Sequence, residues 1–255
     1  MHIEVEQDDW GDAYLDNIRR LLEDVAGQLT RHFVPPPGGR IRVRRRPNGA
    51  APFTPYRQSP NDDYIIELTP RGQFWCPYAY EFAHEFCHIL SDYERLLLVP
   101  NQWFHEALCE LASVFTLKQM ADTWQADPPY PNWRDFAASM NEYADDLITR
   151  DFLRLPVGVN AGDWLQINEP ILRANPRQRH LNGLVVVKLL PLFQEAPEHW
   201  QSVRHMPNTD ESFAEFLSQW RGACPDEHKP FVSRIEQLFA KVFRLADPTA
   251  FRHHG

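Results

Sequence analysis

The chain has 255 residues, 43% of them apolar and 13% aromatic, which is enough to bury a core and too aromatic for a disordered segment. Its net charge of −9 argues against nucleic acid or an anionic membrane as the main partner, and no apolar run approaches the length of a membrane span. The acidic start MHIEVEQDDW lacks a signal-peptide core, and Cys76, Cys87, Cys109 and Cys224 show no paired spacing, so a cytoplasmic protein with reduced thiols is expected.

Residues 2–6 alternate and read as a short strand. From about 9 to 33, Tyr14, Ile18, Leu21, Leu22 and Val25 recur at helical spacing until PPPGG ends the helix. Strands are expected at 41–45 and 64–68 across a Pro/Asn/Gly-rich loop. The first lies in RIRVRRRP (40–47), where Ile41 and Val43 alternate with arginines as in an exposed strand rather than a nucleic-acid arm. The second, YIIELT (64–69), reads as an ordinary sheet strand or as an edge along which a peptide lies. Two helices follow, roughly 77–94 and 101–124, split by VPNQ. Beyond PPYP at 128–131 the pattern is helical, at about 133–148, 176–194, 196–204, 210–222 and 229–244, with no strand pattern past residue 70. The expected fold class is therefore α+β. A zinc-binding α/β half (1–127), with a small mixed or antiparallel sheet packed on helix 77–94, precedes a mostly α-helical half (128–255).

YEFAHEFCHIL (80–90) carries His84, Glu85 and His88 on an otherwise apolar helix. At about 100° per residue, His88 falls about 40° and Glu85 about 100° from His84, while Phe82, Phe86, Ile89 and Leu90 occupy the opposite side. Imidazoles one turn apart can reach one ion, and the offset glutamate can reach a water beside it, which is the HExxH arrangement. The alternative is a pair of structural histidines bonded to backbone carbonyls or to Glu81. The positions after His88 that a third histidine would need hold Ser91 and Glu94 instead. In WFHEALCELASVF (103–115), Glu106 and Glu110 share one face opposite Phe104, Leu108, Leu111 and Phe115, predicting a second amphipathic helix packed antiparallel to the first. Either glutamate could complete the ligand set, with Glu106 the better placed and Glu110 otherwise on a solvated face. His105 points away from Glu106 and reads as a neighbour rather than a ligand. Cys87 and Cys109 flank the polar faces as packing residues or as redox-sensitive thiols.

HEFCH followed by WFHEALCE resembles the gluzincin metallopeptidases, the group of thermolysin and the aminopeptidase N-like enzymes, over roughly residues 60–120. The resemblance implies Glu106 as the third zinc ligand and Glu110 as an outer acid that orients His84. His105 stands where that group usually has Asn. The resemblance also implies an oxyanion donor near the start of a later helix, where RHLNGLVVV offers His180, with Tyr143 a weaker candidate. It implies that the helical second half forms the other wall of the cleft. No counterpart of the aminopeptidases' Gly-x-Met-Glu-Asn segment is present.

The chemistry expected is zinc-dependent hydrolysis of peptide bonds. Zn²⁺ on His84, His88 and Glu106 activates a water, and Glu85 acts as general base. Imidazole donors favour zinc over magnesium. The expected partner is a peptide or protein substrate, with neither nucleic acid nor membrane involved. The alternatives are a catalytically silent metal-binding module of the same fold, acting in binding or regulation, and a helical interaction protein in which the motif is coincidental.

Overall fold

In the computed structural model, which describes residues 1–46, 50–57, 62–95 and 100–240, strand β1 (His2–Val5) leads through helix α1 (Leu15–Thr30) into β2 (Arg40–Arg45). β3 (Tyr64–Leu68) then completes a three-stranded sheet in the order β1-β2-β3. Both pairings are parallel, with Ile3 opposite Ile41 and Val43 opposite Ile66, so the expected mixed or antiparallel sheet is corrected. The reason lies in the connections. A parallel return needs a crossover of a dozen or more residues, and α1 supplies it between β1 and β2. The molecule is thus a mixed, mostly helical α/β protein with a small parallel sheet.

The alternation in β2 sets the faces of the sheet. Ile41 and Val43 are fully buried with Ile66 and Leu68. Arg40, Arg42 and Arg44 project to the other face, where Arg40 pairs with Glu4 at 2.9 Å, Arg42 with Glu6 at 2.5 Å and Arg44 with Glu67 at 2.5 Å; Arg46, just past the strand, also pairs with Glu67. Exposed pairs of this kind contribute about 0–1 kcal/mol each. Their effect is to neutralise a basic run that is therefore the centre of a sheet. The outer edge of β3 is not free along its length, because Phe53 exchanges both backbone hydrogen bonds with Glu67 at 2.9 and 3.0 Å.

Helices α2 (Trp75–Leu90) and α3 (Gln102–Thr123) form the middle of the molecule. Pro77 sits in the first turn of α2, where its missing N–H costs nothing. α3, expected as an amphipathic helix packed antiparallel to α2, has 16 of its 22 residues buried, which marks a helix surrounded by protein. It packs against α1, α2, α4 (Phe136–Ile148), α5 (Ala161–Ala174) and α6 (Arg179–Glu195). Trp124 at its end donates to Asp24 of α1 at 2.7 Å. The 3-10 segment Pro197–His205 and helices α7 (Phe213–Ala223) and α8 (Lys229–Phe239) close the described chain. Past residue 70 no strand occurs among the described residues. The connection near the expected boundary at 127 is packed, with Trp133 stacked on Trp124 at 5.5 Å, and one hydrophobic core runs through both halves. No described helix is long and apolar enough to cross a membrane.

α5 is a helix that sequence periodicity misses, because Pro170 lies inside it. Its start carries a cap: Asn160 Oδ1 accepts from Asp163 N at 2.9 Å, and Asn160 Nδ2 donates to the Asp163 carboxylate at 2.7 Å.

Phe86 is fully buried and stacked on Phe82 at 5.6 Å on the core side of α2. Phe86→Ala is expected to cost about 3–5 kcal/mol in urea denaturation of the metal-free chain. A loss below about 1 kcal/mol would mean that this face does not anchor the helix.

Candidate metal centre

Side-chain contacts fix the register of α2 against α3. Ser113 Oγ donates to the Tyr80 carbonyl at 2.8 Å, Cys109 Sγ lies 3.4 Å from His88 Nδ1, and His105 Nε2 lies 2.6 Å from Ser91 Oγ. As α2 is followed from 80 to 91, its partners on α3 run from 113 to 105, so the helices are antiparallel. This seam brings the polar residues of both helices into one cleft of about 140 Å³. His84, Glu85, His88, Glu106 and Glu110 line it on one side. Phe53, Thr54 and Tyr56, from the segment paired to β3, line another. None of the residues of β3 itself lines this cleft, so the edge presented to it belongs to residues 51–56 rather than to YIIELT.

His84 Nε2 and Glu106 Oε2 are 3.5 Å apart. Two donors of a tetrahedral zinc site with bonds near 2.0 Å lie about 3.3 Å apart, so this pair already has the spacing of ligands to one ion. The His84 and His88 rings sit with centroids 5.0 Å apart at 73°. Among the described residues, the three donors that all lie within 4.8 Å of one another are, however, those of His84, His88 and Cys109, without Glu106. Glu106 therefore stands beside His84, and Cys109 near both imidazoles. They differ in placement: Glu106 lines the cleft, whereas Cys109 is completely buried and packs beside His88.

The electrostatics follow from burial and neighbours. Burial disfavours the charged form of His84, but the hydrogen bond to Glu106 and the charges of Glu85, Glu106 and Glu110 outweigh it and bring the imidazole up to about 9. Burial likewise works against an ionised Glu106, yet the contact with His84 and the potential of His88 hold its carboxyl down at about 2. Burial first, then the potentials of His105 and His84, keep His88 well below the usual histidine range. Burial raises the carboxyl of Glu85, only partly offset by the charge of His84. Burial also pushes the Cys109 thiol well above its ordinary value.

Other residues have partners that define their parts. His105 is brought down to about 4 by burial, and its neutral ring uses Nε2 on Ser91, whose hydroxyl donates to the Cys87 carbonyl at 2.8 Å. It is a structural neighbour. Glu110 shares a hydrogen bond with Tyr80 and reaches His84 through its charge. Glu81 is held by Thr69, whose N and Oγ1 donate at 2.7 and 2.5 Å. His180 is exposed on the first turn of α6 and is not among the residues lining the cleft. Tyr143 packs its ring on Tyr80 at 6.2 Å. In place of His180, Arg177, Arg179 and Asn182 line the cleft, and Arg177 Nε lies 3.7 Å from Glu106 Oε1. Arg177 and Arg179 lie in the basic run RANPRQRH (173–180), and Asn182 two residues beyond it.

Comparisons of the chain with protein-family models, with curated proteins and with solved structures find no match.

In the metal-free chain, NMR titration of the His84 imidazole is expected to give a midpoint near 9, and Glu106→Gln to lower it. An unchanged midpoint in that variant would show that Glu106 is not the partner of His84.

Proposed function

We propose that the chain is a zinc metallopeptidase of gluzincin type, with His84, His88 and Glu106 as ligands. The observation that carries this is the convergence of His84 and Glu106 at 3.5 Å in a cleft that Glu85 also lines. Glu106 is preferred over Cys109 because a catalytic ion must be reached by substrate. Glu106 lines the cleft, whereas Cys109 is enclosed and does not. Cys109 Sγ instead lies 3.4 Å from His88 Nδ1, a contact that would orient the ring and leave Nε2 to coordinate. Bound zinc would supply Lewis acidity and a lowered pKa for water.

The remaining chemistry belongs to the chain's own residues. Glu85 accepts a proton from the attacking water and delivers it to the departing amine nitrogen. Burial raises its carboxyl toward the range in which both transfers are favourable. Glu110, tied to Tyr80, adds negative potential that stabilises the cationic side of the centre. The segment 51–56 bounds the cleft on the side where an extended peptide would lie. A site that only bound metal would have no use for a buried, cleft-lining carboxylate at position 85.

Glu85→Gln is expected to retain zinc and lose hydrolysis of a peptide library by about 10²–10⁴-fold, the usual size of a general-base contribution. Turnover at the wild-type rate in that variant would remove the mechanism. Zinc affinity separates the two candidate third ligands. Glu106→Gln should weaken it by several orders of magnitude, and Cys109→Ser by no more than about 10–100-fold. The reverse ranking would make the sulfur the ligand.

A further inference from the structure

We propose that Arg177, Arg179 and Asn182 form a subsite for a substrate carboxylate, so that the cleft takes peptides with an anionic group beside the bond to be cut. The inference rests on the metallopeptidase reading of the same cleft and names its substrate class. Three features of the connection between α5 and α6 and of the first turn of α6 carry it.

First, Asn182 is 2% exposed, lines the cleft, and has an Oδ1 without a hydrogen-bond partner. Its orientation is determined: Nδ2 donates to the Pro176 carbonyl at 2.8 Å, an acceptor only, so the oxygen is the end left over. An unpartnered acceptor on a cleft-lining side chain would be satisfied by a bound donor that a small shift of the amide lets in, and a peptide N–H is such a donor. Second, that same hydrogen bond fastens the turn that carries Arg177, whose side chain is 71% exposed and reaches to 3.7 Å from Glu106. If Glu106 serves a metal, the guanidinium keeps donors for a second carboxylate, and it binds such groups in a planar fork. Third, Arg179 brings another cation to the same lining, close enough to act on Glu81 and Glu110.

The acidic residues across the cleft do not cancel this. Glu81 is occupied by Thr69, Glu110 by Tyr80 and Glu85 in part by Thr54, while Glu106 is shared between His84 and Arg177. An N–H acceptor beside two guanidinium groups matches the last residue of a peptide, whose amide N–H and carboxylate are attached to one carbon. An aspartate or glutamate side chain offers the same carboxylate from within a chain.

The test is binding, read by calorimetry on the full chain with and without zinc. The probes are acetyl-dipeptides with a free C-terminal carboxylate, the same dipeptides as C-terminal amides, and amides carrying a glutamate side chain. The free acid is expected to bind at least about tenfold tighter than the amide, about 1.4 kcal/mol. Arg177→Gln should abolish that preference and Arg177→Lys should restore part of it. Tight binding of the acid alone assigns the subsite to the chain terminus; equal binding of the glutamate amide assigns it to a side chain. Equal affinity for acid and plain amide overturns the proposal, as does a preference that survives Arg177→Gln. Absence of hydrolysis by the zinc-loaded chain with the preference intact would count against the peptidase reading and leave the subsite standing.

Discussion

Ionisable side chains enclosed between two buried helices must find partners, and in this protein that requirement organises everything else. α2 and α3 are both largely enclosed, yet between them they carry three histidines and four glutamates into one seam. Charges in such surroundings persist only when each is matched by another charge, a hydrogen bond or an ion. Ser113 with Tyr80, Cys109 with His88, and His105 with Ser91 hold the helices in the one antiparallel register that aligns these groups. His84 and Glu106 then balance each other, the imidazole drawn up and the carboxyl drawn down by the same contact. In the proposed holoenzyme a divalent cation takes the place of the proton that this pair shares.

The rest of the fold supports that seam. The small sheet lies on the α1 and α2 side, and its edge carries the segment 51–56 to the cleft through Phe53. The helical second half packs on α3 through α4, α5 and α6 and brings the basic turn at 177–179 to the opposite side. The cleft thus combines an acidic, imidazole-rich side with a basic one, and a proposed substrate lies between groups of opposite charge.

Much of this was legible in the order of residues. β3 was read at its observed bounds, and the HExxH helix was found because a polar stripe on an apolar helix has few uses. The parallel pairing runs against the mixed or antiparallel sheet expected, although a helix between two strands, as α1 lies between β1 and β2, implies a parallel crossover. What lay beyond reach depended on packing. α3 looked amphipathic on its own, and only its five helical neighbours make it central. Pro170 concealed α5. His180 and Asn182 are two positions apart, about 200° around a helix, so once α6 packs with Asn182 inward His180 must face solvent. Cys109 entered the centre because α3 turns it toward His88, a contact that no spacing within either helix encodes.

The most direct measurement is diffraction at the zinc edge from crystals grown with the metal. The account predicts one strong anomalous peak within about 2.0–2.2 Å of a ring nitrogen of His84, a ring nitrogen of His88 and a carboxylate oxygen of Glu106. A chain that takes up no zinc, or a peak that leaves those three side chains uncoordinated, would contradict it.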